Sequence, residues 1–204
     1  MANNTIYTIG YTAFEPEAFV GVLKRHGIQC LVDVRTIPAS SRLPQYSRPM
    51  LEAMLKRAGL RYRHYPEFGA RQEDPKWYTE EGYLDFERYI SSDAFQEGMK
   101  KLRKGMALGY RFALMCAEKD PVNCHRAIMV ARGFAMASFE VAHIRVDEQG
   151  RDFLESQGEL ELRMMRKQGD DPDQLSLLDP LEERVNRAYR RQNAAIGYRM
   201  EEEG

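Results

Sequence analysis

The stretch Cys30-Leu31-Val32-Asp33-Val34 is continuously apolar apart from one aspartate, which is the pattern of a strand buried on both faces of a parallel sheet. Similar short strand-like stretches occupy residues 6–9, 112–116 and 141–146, and residues 60–65 are predicted to be a further strand. Between these runs, apolar residues recur at helical spacing. The alternation of strands and helices predicts an α/β fold. We expect an open, mostly parallel sheet of about five strands with helices on both faces, a Rossmann-like three-layer arrangement.

Two regions are expected along the chain of 204 residues. Residues 1–167 have the length of one domain and are predicted to form a single α/β domain. Its last packed helix is placed at residues 154–165, where apolar residues recur. Residues 168–173 are polar and are predicted to be a linker. Residues 181–196 are predicted to form an amphipathic C-terminal helix.

The composition excludes several classes of protein. Three cysteines in a chain of this length do not make a disulfide framework, so the cytoplasm is the expected compartment. No apolar run approaches the roughly 18 residues of a membrane span, and no signal-like segment precedes the first strand, so no membrane contact is expected. The net charge of −1 excludes a uniformly basic coat for nucleic acid.

Basic residues are nevertheless concentrated in one segment, residues 35–71. It contains eight basic residues against two acidic ones, Glu52 and Glu67. One face of the protein is therefore expected to attract anions. The alternative is that these side chains belong to an ordinary solvated helix and its loops. The basic residues are Arg35, Arg42, Arg48, Lys56, Arg57, Arg61, Arg63 and Arg71.

Chemically distinctive residues follow several of the predicted strands. In an open parallel sheet, ligands bind outside the carboxyl ends of the strands, where the strand order reverses. Segments that lie far apart in the sequence should therefore meet at one edge. The residues predicted to bind substrate at this edge are Tyr11, Thr12, Arg35, Ser41, Arg42, Cys116 and Arg126.

The segment after the fourth strand, residues 116–126, carries the predicted catalytic residues. Asn123 is expected to cap a helix whose first turn holds Cys124, His125 and Arg126. A helix N-terminus favours anions and lowers the pKa of a thiol, so Cys124 is expected to be more reactive than Cys116.

Within this segment, Glu118, Cys124 and His125 are the predicted catalytic residues, with Glu118 suited to act as a general base. The alternative is that Cys116 and Cys124 are small buried residues that pack beneath the loop.

The sequence argues against two further kinds of site, a zinc site in this segment and a serine nucleophile. Cys116, Cys124 and His125 are possible zinc ligands, but their spacing lacks a second close ligand pair and an obvious fourth ligand. Adjacent Cys and His side chains in one helical turn are also expected to diverge. No metal and no cofactor are therefore predicted. No Gly-x-Ser-x-Gly turn surrounds Ser41, which argues against a serine nucleophile.

These segments resemble the bacterial domain-of-unknown-function family numbered 488. The resemblance covers roughly residues 5–165, and it implies a compact α/β domain. Its most specific part is Cys-Ala-Glu at residues 116–118 with Cys-His-Arg at residues 124–126. The reaction of that family is unsettled, so the resemblance implies a fold and a site more than an activity. Its other segments are residues 8–12, 31–35, 65–69, 113–115 and 143–144, with Pro38, Ser41 and Arg42.

Three classes of function remain open. The first is an enzyme, a hydrolase or transferase, acting on a phosphorylated or nucleotide-like substrate that includes DNA-derived molecules. The second is a non-catalytic module that binds nucleotides or nucleic acid, and the third is a protein–protein adaptor. The enzyme is favoured because glutamate, cysteine and histidine crowd the edge, and anion binding alone does not need them.

A short motif near the C-terminus suggests a partner. Gln174-Leu175-Ser176-Leu177-Leu178 is similar to the motif by which bacterial replication and repair proteins dock on the DNA polymerase sliding clamp, with Leu178 where phenylalanine is commoner. Gln174, Leu175, Leu177 and Leu178 are the predicted docking residues. The alternative is that these leucines cover a groove on the protein's own domain.

Overall fold

A computed structural model describes residues 4–174 and 178–199. Within these ranges, six strands form one sheet in the order β3-β2-β4-β1-β5-β6. The first five strands are parallel, and β6 runs antiparallel to β5. The predicted α/β class with an open, mostly parallel sheet is confirmed. The strands are β1 (Thr5–Gly10), β2 (Cys30–Asp33), β3 (Arg61–His64), β4 (Phe112–Cys116), β5 (Glu140–Val146) and β6 (Asp152–Ser156).

Helices cover both faces of the sheet. One face is covered by α1 (Pro16–Arg25) and α2 (Arg48–Arg57), whose buried residues share one apolar core. A second and larger core lies between the other face and the remaining helices. These are α3 (Phe86–Ile90), α4 (Asp93–Ala107), a π-helix (Arg126–Ala131) that continues into α5 (Arg132–Met136), α6 (Gln157–Lys167) and α7 (Leu181–Ile196).

The strand order places the end of β4 at a reversal. The connections that follow β1 and β2 run through α1 and α2 on one face. The connection that follows β4 runs through the π-helix and α5 on the other face. Because β4 lies between β1 and β2, neighbouring loops separate toward opposite faces at its carboxyl end. This divergence is where open α/β sheets form ligand crevices.

The region predicted to be the last helix of the domain divides into a strand and a helix. Residues 152–156 form β6, and the helix begins only at Gln157. The Ser156 hydroxyl accepts from the backbone N–H of Glu159, and the Glu159 carboxylate accepts from the backbone N–H of Ser156 at 2.7 Å. This reciprocal capping box fixes the start of the helix. Leu154, assigned to the helix from the sequence, lies instead with Phe153 on an exposed edge strand.

The C-terminal helix α7 packs on the larger core. Val185, Ala188 and Tyr189 are buried there, and the side chain of Asn193 accepts from Phe86 N–H and donates to the Leu84 carbonyl, both at 2.9 Å. The helix has the bounds expected from its periodicity. None of the helices in the described ranges is long and apolar enough to cross a membrane.

Candidate functional site

The ends of β1 and β4 are joined closely. The backbone N–H and the hydroxyl of Thr12 both donate to the carbonyl of Ala117, at 3.1 and 2.7 Å. A Cβ on Gly10 would overlap the carbonyl oxygen of Glu118 and would lie 3.1 Å from Nη2 of Arg126. Only glycine leaves room for the loop after β4 to cross the end of β1 in this way.

The start of the helix after β4 differs from the prediction. Asp120, not Asn123, caps the first turn by accepting from Val122 N–H at 3.1 Å, and residues Pro121–Asn123 form a short 3₁₀ turn. Pro121 favours that earlier start because its fixed φ suits a first turn. Cys124 then adopts an extended backbone with φ of −139°. The expectation that Cys124 lies within the first helical turn is therefore wrong.

The extended backbone at residue 124 brings three reactive side chains together. The sulfur atoms of Cys116 and Cys124 and a ring nitrogen of His125 all lie within 4.8 Å of one another. We call these three residues the thiol–imidazole cluster. The expectation that Cys124 and His125 diverge is wrong, because the two residues do not share a regular helical turn.

Hydrogen bonding determines which nitrogen of His125 carries the proton. Nε2 lies 2.9 Å from the carbonyl oxygen of Val34, at the end of β2. Because a carbonyl oxygen only accepts, Nε2 is the donor, and the lone pair of the neutral ring is on Nδ1. Nδ1 lies 3.7 Å from the sulfur of Cys116. The imidazole thus spans β2 and β4 and presents its basic nitrogen to a thiol.

The two thiols are buried and electrostatically different. Cys116 is 6% exposed and Cys124 is 2% exposed. The hydrogen bond to Cys124, together with burial, raises the pKa of Cys116 well above its usual range. Burial opposes ionisation of Cys124, but the hydrogen bond from Cys116 and the charge of Arg126 outweigh it and hold the pKa of Cys124 well below its usual range. This direction supports the expectation that Cys124 is the more reactive thiol.

Arg126 lies behind the cluster and is fully buried, with 0% exposure. Its Nη1 donates to the Glu118 carbonyl at 2.6 Å and its Nη2 to the Lys119 carbonyl at 3.4 Å. Within the described ranges its Nε has no hydrogen-bond partner and its guanidinium has no carboxylate partner. Arg126 therefore shapes the loop through neutral carbonyls, while its charge acts on both thiols.

Glu118 is the exposed acidic residue of the loop. Only its backbone carbonyl is engaged, by Arg126. Its carboxylate makes no hydrogen bond or ion pair with any residue that the structure describes, and it faces solvent. The carboxylate predicted to act as a general base is thus accessible.

Arg35 and Tyr11, both predicted to bind substrate, are buried near the end of β2. The guanidinium of Arg35 donates to both oxygens of Asp33, at 2.9 and 2.6 Å, and to the Tyr46 carbonyl at 2.9 Å. Tyr62 donates to the same carboxylate at 2.8 Å. The ring of Tyr11 stacks on Tyr46 at 4.6 Å and lies 5.2 Å from the guanidinium carbon. These contacts satisfy Arg35 entirely within the protein.

The remaining predicted substrate-binding residues lie at the surface. Thr12 is exposed beside the loop after β4, and Ser41 and Arg42 are exposed on the loop between β2 and α2. Apart from Arg35, the seven basic residues of the segment 35–71 are all exposed. The structure thus joins Thr12 to the Ala117 carbonyl, next to Cys116 in the chain, and leaves Ser41 and Arg42 on a separate loop.

Val34, which anchors the imidazole, was not among the predicted site residues, because a backbone carbonyl leaves no signature in a side-chain pattern. A buried polar chain lies on the far side of β1. His143 accepts from Thr8 at 2.8 Å through Nδ1 and donates to Gln157 at 2.9 Å through Nε2. Gln157 continues the chain by donating to Tyr189. Burial, reinforced by the charge of Arg126, lowers the pKa of His143 to about 3.

A polar groove of about 660 Å³ lies near the ends of β2 and β3. Its lining includes Thr36, two residues after the Val34 carbonyl that binds His125, and also Arg71, Lys76 and Trp77. The ammonium of Lys76 lies 4.9 Å from the centre of the Trp77 ring. Its lining also carries four acidic residues, Glu67, Glu73, Asp74 and Asp93, and Asp74 pairs with Lys76 at 2.7 Å. The groove thus offers an aromatic surface of mixed charge close to the edge that carries the cluster.

The predicted docking motif is only partly described. Gln174 is exposed, and its carbonyl accepts from Arg184 at 2.7 Å. Leu178 is 98% exposed. Leu175 and Leu177 lie outside the described residues. Docking on a sliding clamp therefore stays a prediction.

Comparison with known proteins places the chain in a family. No curated protein and no solved structure matches it. A family model described as "Domain of unknown function DUF488" matches residues 15–132, which is more than half of the 204 residues. The match is shorter than the region that carries the resemblance, but it includes the whole thiol–imidazole cluster. The chain therefore belongs to the DUF488 family.

Proposed function

We propose that this protein is an enzyme, a hydrolase or transferase, that acts on a phosphorylated or nucleotide-like substrate, DNA-derived molecules included. The observation that carries the proposal is the convergence of two sulfur atoms and an imidazole nitrogen within 4.8 Å at the carboxyl end of β4. A module that only binds anions needs cationic groups and N–H donors, not a cluster of nucleophilic and basic groups at a strand-order reversal.

The surface around this edge supports an anionic substrate. Of the seven exposed basic residues of the segment 35–71, Arg42 and Arg71 lie on the loops after β2 and β3, whereas Lys56, Arg57 and Arg61 lie at the end of α2 and the start of β3, at the opposite edge. Exposed guanidinium and ammonium groups are suited to phosphate oxygens. Trp77, in the groove near the same edge, offers a ring on which a base can stack. These features favour a nucleotide over a simple inorganic anion.

Proton transfer in the proposed reaction is assigned to two groups. The Glu118 carboxylate faces solvent, and Nδ1 of His125 carries a lone pair beside the cluster. A reducing cytoplasm, where we place the protein, would keep its three cysteines as free thiols.

The test is turnover by the reduced full-length protein. Nucleotides and short single-stranded DNA are incubated with the protein, and products are identified by mass spectrometry. We expect Glu118→Gln and Cys124→Ser to lose turnover. Cys30→Ser is the matched control. Cys30 is also a buried cysteine, but it lies beside Phe112, at the opposite end of β4 from Cys116. Substrate binding without turnover in the wild type would favour the non-catalytic binding module.

Docking on the sliding clamp is a second proposal, favoured by the 98% exposure of Leu178. An apolar side chain that finds no cover in its own domain is suited to a partner's pocket. Clamp binding would raise the local concentration of the enzyme at DNA.

Calorimetric titration with purified clamp tests this proposal. We expect binding by the wild type and its loss in a Gln174→Ala/Leu178→Ala variant. Leu108→Ala, at another exposed leucine, is the matched control. Unchanged binding in the double variant would remove the motif from the functional argument.

A further inference from the structure

We infer that Cys116, Cys124 and His125 bind one zinc ion, with a fourth coordination position open to water or substrate. The inference deepens the proposed function, on whose site it rests, by naming the metal that the site would hold. With zinc bound, Nδ1 of His125 is a ligand, and proton transfer is assigned to Glu118 alone. It reverses the sequence-based expectation of no metal, since divergence of Cys124 from His125 was one reason for that expectation.

The spacing of the donor atoms fits tetrahedral zinc. With Zn–S bonds of about 2.3 Å and Zn–N bonds of about 2.0 Å, two ligands on a tetrahedron are separated by about 3.5–3.8 Å. The Cys116 sulfur and the His125 Nδ1 are 3.7 Å apart. The Cys124 sulfur completes a triangle whose members all lie within 4.8 Å. Small side-chain movements therefore suffice to close three donors around one ion.

The orientation of His125 matches that of a metal-binding histidine. Such a histidine donates its second ring N–H to a carboxylate or a backbone carbonyl, which fixes the tautomer and turns the free lone pair toward the metal. His125 donates Nε2–H to the Val34 carbonyl at 2.9 Å and directs Nδ1 toward the Cys116 sulfur. A strand end, not a flexible side chain, provides this support.

The charge of Arg126 is an independent observation in favour of anionic sulfur ligands. A fully buried cation is normally matched by a buried anion. In the described part of the chain, Arg126 reaches only carbonyl oxygens, and its buried Nε is unpartnered. A buried cation at this place favours the thiolate form of the two sulfurs, which is the form that binds a metal ion. Two thiolates, a neutral imidazole and Zn²⁺ together carry no net charge, so with zinc bound the charge of Arg126 favours an anion at the open fourth position.

The donor set indicates which metal and which kind of site. Two sulfurs and one imidazole nitrogen suit zinc, whereas magnesium and calcium take oxygen ligands. Three protein ligands with an open fourth position are typical of catalytic zinc rather than structural zinc. Zinc deaminases of nucleobases use such sulfur and imidazole donors beside a non-ligating glutamate. Here Glu118 follows the first ligand by two residues, which points to a substrate containing a nucleobase.

The first measurement is the metal content of the full-length protein. The protein is reduced with a phosphine, stripped with a chelator, incubated with zinc sulfate and desalted. We expect about one zinc per chain by elemental mass spectrometry. Cys116→Ser, Cys124→Ser and His125→Asn should each weaken zinc binding by more than about 100-fold, a larger loss than removal of an outer hydrogen bond causes. Cys30→Ser should bind zinc like the wild type.

The second measurement uses the wild type alone, so that it does not depend on the folding of a variant. Cobalt(II) is added to the stripped protein and the absorption spectrum is recorded. A four-coordinate site with thiolates gives intense visible bands and a sulfur-to-cobalt charge-transfer band. The weak spectrum of six-coordinate cobalt, or zinc that is retained when Cys116 and Cys124 are both replaced, would overturn the inference.

The two proposals fail in different ways. Turnover by protein that binds no zinc, measured on the same preparation, would overturn the metal site and leave the enzyme proposal standing. Stoichiometric zinc with a four-coordinate cobalt spectrum, but no turnover on any nucleotide or DNA, would support the metal site and count against the enzyme.

Discussion

Two buried arginines follow neighbouring strands of one sheet, yet their surroundings are opposite. Arg35, after β2, donates to both oxygens of the Asp33 carboxylate and to a carbonyl. Arg126, after β4, reaches two carbonyls and keeps an unpartnered Nε within the described ranges. Both residues looked alike in the sequence, as basic residues beyond a strand.

The difference distinguishes a structural ion pair at the end of β2 from a candidate ligand site at the end of β4. At the end of β2, Asp33 already compensates the guanidinium, so no ligand is needed for electrostatic balance. At the end of β4, the charge of Arg126 acts on two thiols instead of a carboxylate. Burial of a charge without a carboxylate is costly, and such a cost is typical of positions that serve function.

The largest expected effect comes from breaking the pair at β2. Asp33→Asn keeps the shape of the side chain but leaves the Arg35 charge buried, so we expect the free energy of unfolding to fall by about 3–5 kcal/mol. The control is Glu52→Gln, which breaks an exposed pair with Arg48 at 3.6 Å and should cost less than about 1 kcal/mol. Urea unfolding followed by circular dichroism measures both. Equal losses would show that Arg35 is not structurally paired.

A smaller effect is expected at the contact between β1 and the loop that Arg126 shapes. Gly10→Ala forces a Cβ into the Glu118 carbonyl and should lower the free energy of unfolding by about 1–3 kcal/mol. Gly158→Ala in α6 is the control, because a Cβ there meets nothing within 4 Å and should stabilise the helix by about 0.5–1 kcal/mol. Thermal unfolding of the two variants compares them. A Gly10→Ala variant as stable as the wild type would contradict the close approach.

The charge of Arg126 also leads to a prediction about pH. His143 has a pKa of about 3 in the folded protein, below its ordinary value of 6.5, because of burial and then of the charge of Arg126. Between these values the unfolded chain binds a proton that the folded chain excludes, so stability is lost as the pH falls from 6.5 toward 3. This one group contributes a slope of about 1.4 kcal/mol per pH unit. Urea unfolding of wild type and His143→Asn from pH 7 to pH 4 should show the smaller slope in the variant; equal slopes would exclude His143 as the source.

The smallest effect on stability is expected at Arg42. This side chain is exposed, so Arg42→Ala should change the free energy of unfolding by less than about 0.5 kcal/mol. It should also weaken the binding of nucleotide, measured by calorimetry, because an exposed cation contributes to anion binding. Arg57→Ala, at an exposed position at the end of α2, is the control for general charge. Equal weakening by both variants would indicate a diffuse attraction instead of a site.

The fold could be predicted because strand and helix periodicities are local. The buried run 30–34 and its counterparts gave five strands, and the residues that follow them gave the edge at which the cluster lies. The edge strand β6 was missed because Phe153 and Leu154 are apolar but exposed, and a short apolar run is ambiguous between strand and helix. The cluster geometry was missed because it depends on one extended residue, Cys124, between two helical segments. No side-chain pattern indicates that backbone angle.

The direction in which the thiol–imidazole cluster faces depends on how far the π-helix that follows it rotates the chain. Each residue of an α-helix advances the chain by about 100°, and a π-helix holds an additional residue in its wider turn. Residues Arg126–Ala131 are all buried, so the extra residue is absorbed without exposing an apolar side chain. Deleting one residue here would allow an ordinary α-helix to form with nearly the same phase, because six residues at about 4.4 per turn rotate the chain about as far as five residues at about 3.6 per turn. Cys124 and His125 should then keep their direction relative to Phe134 in the core, so the site should tolerate the loss of the wide turn.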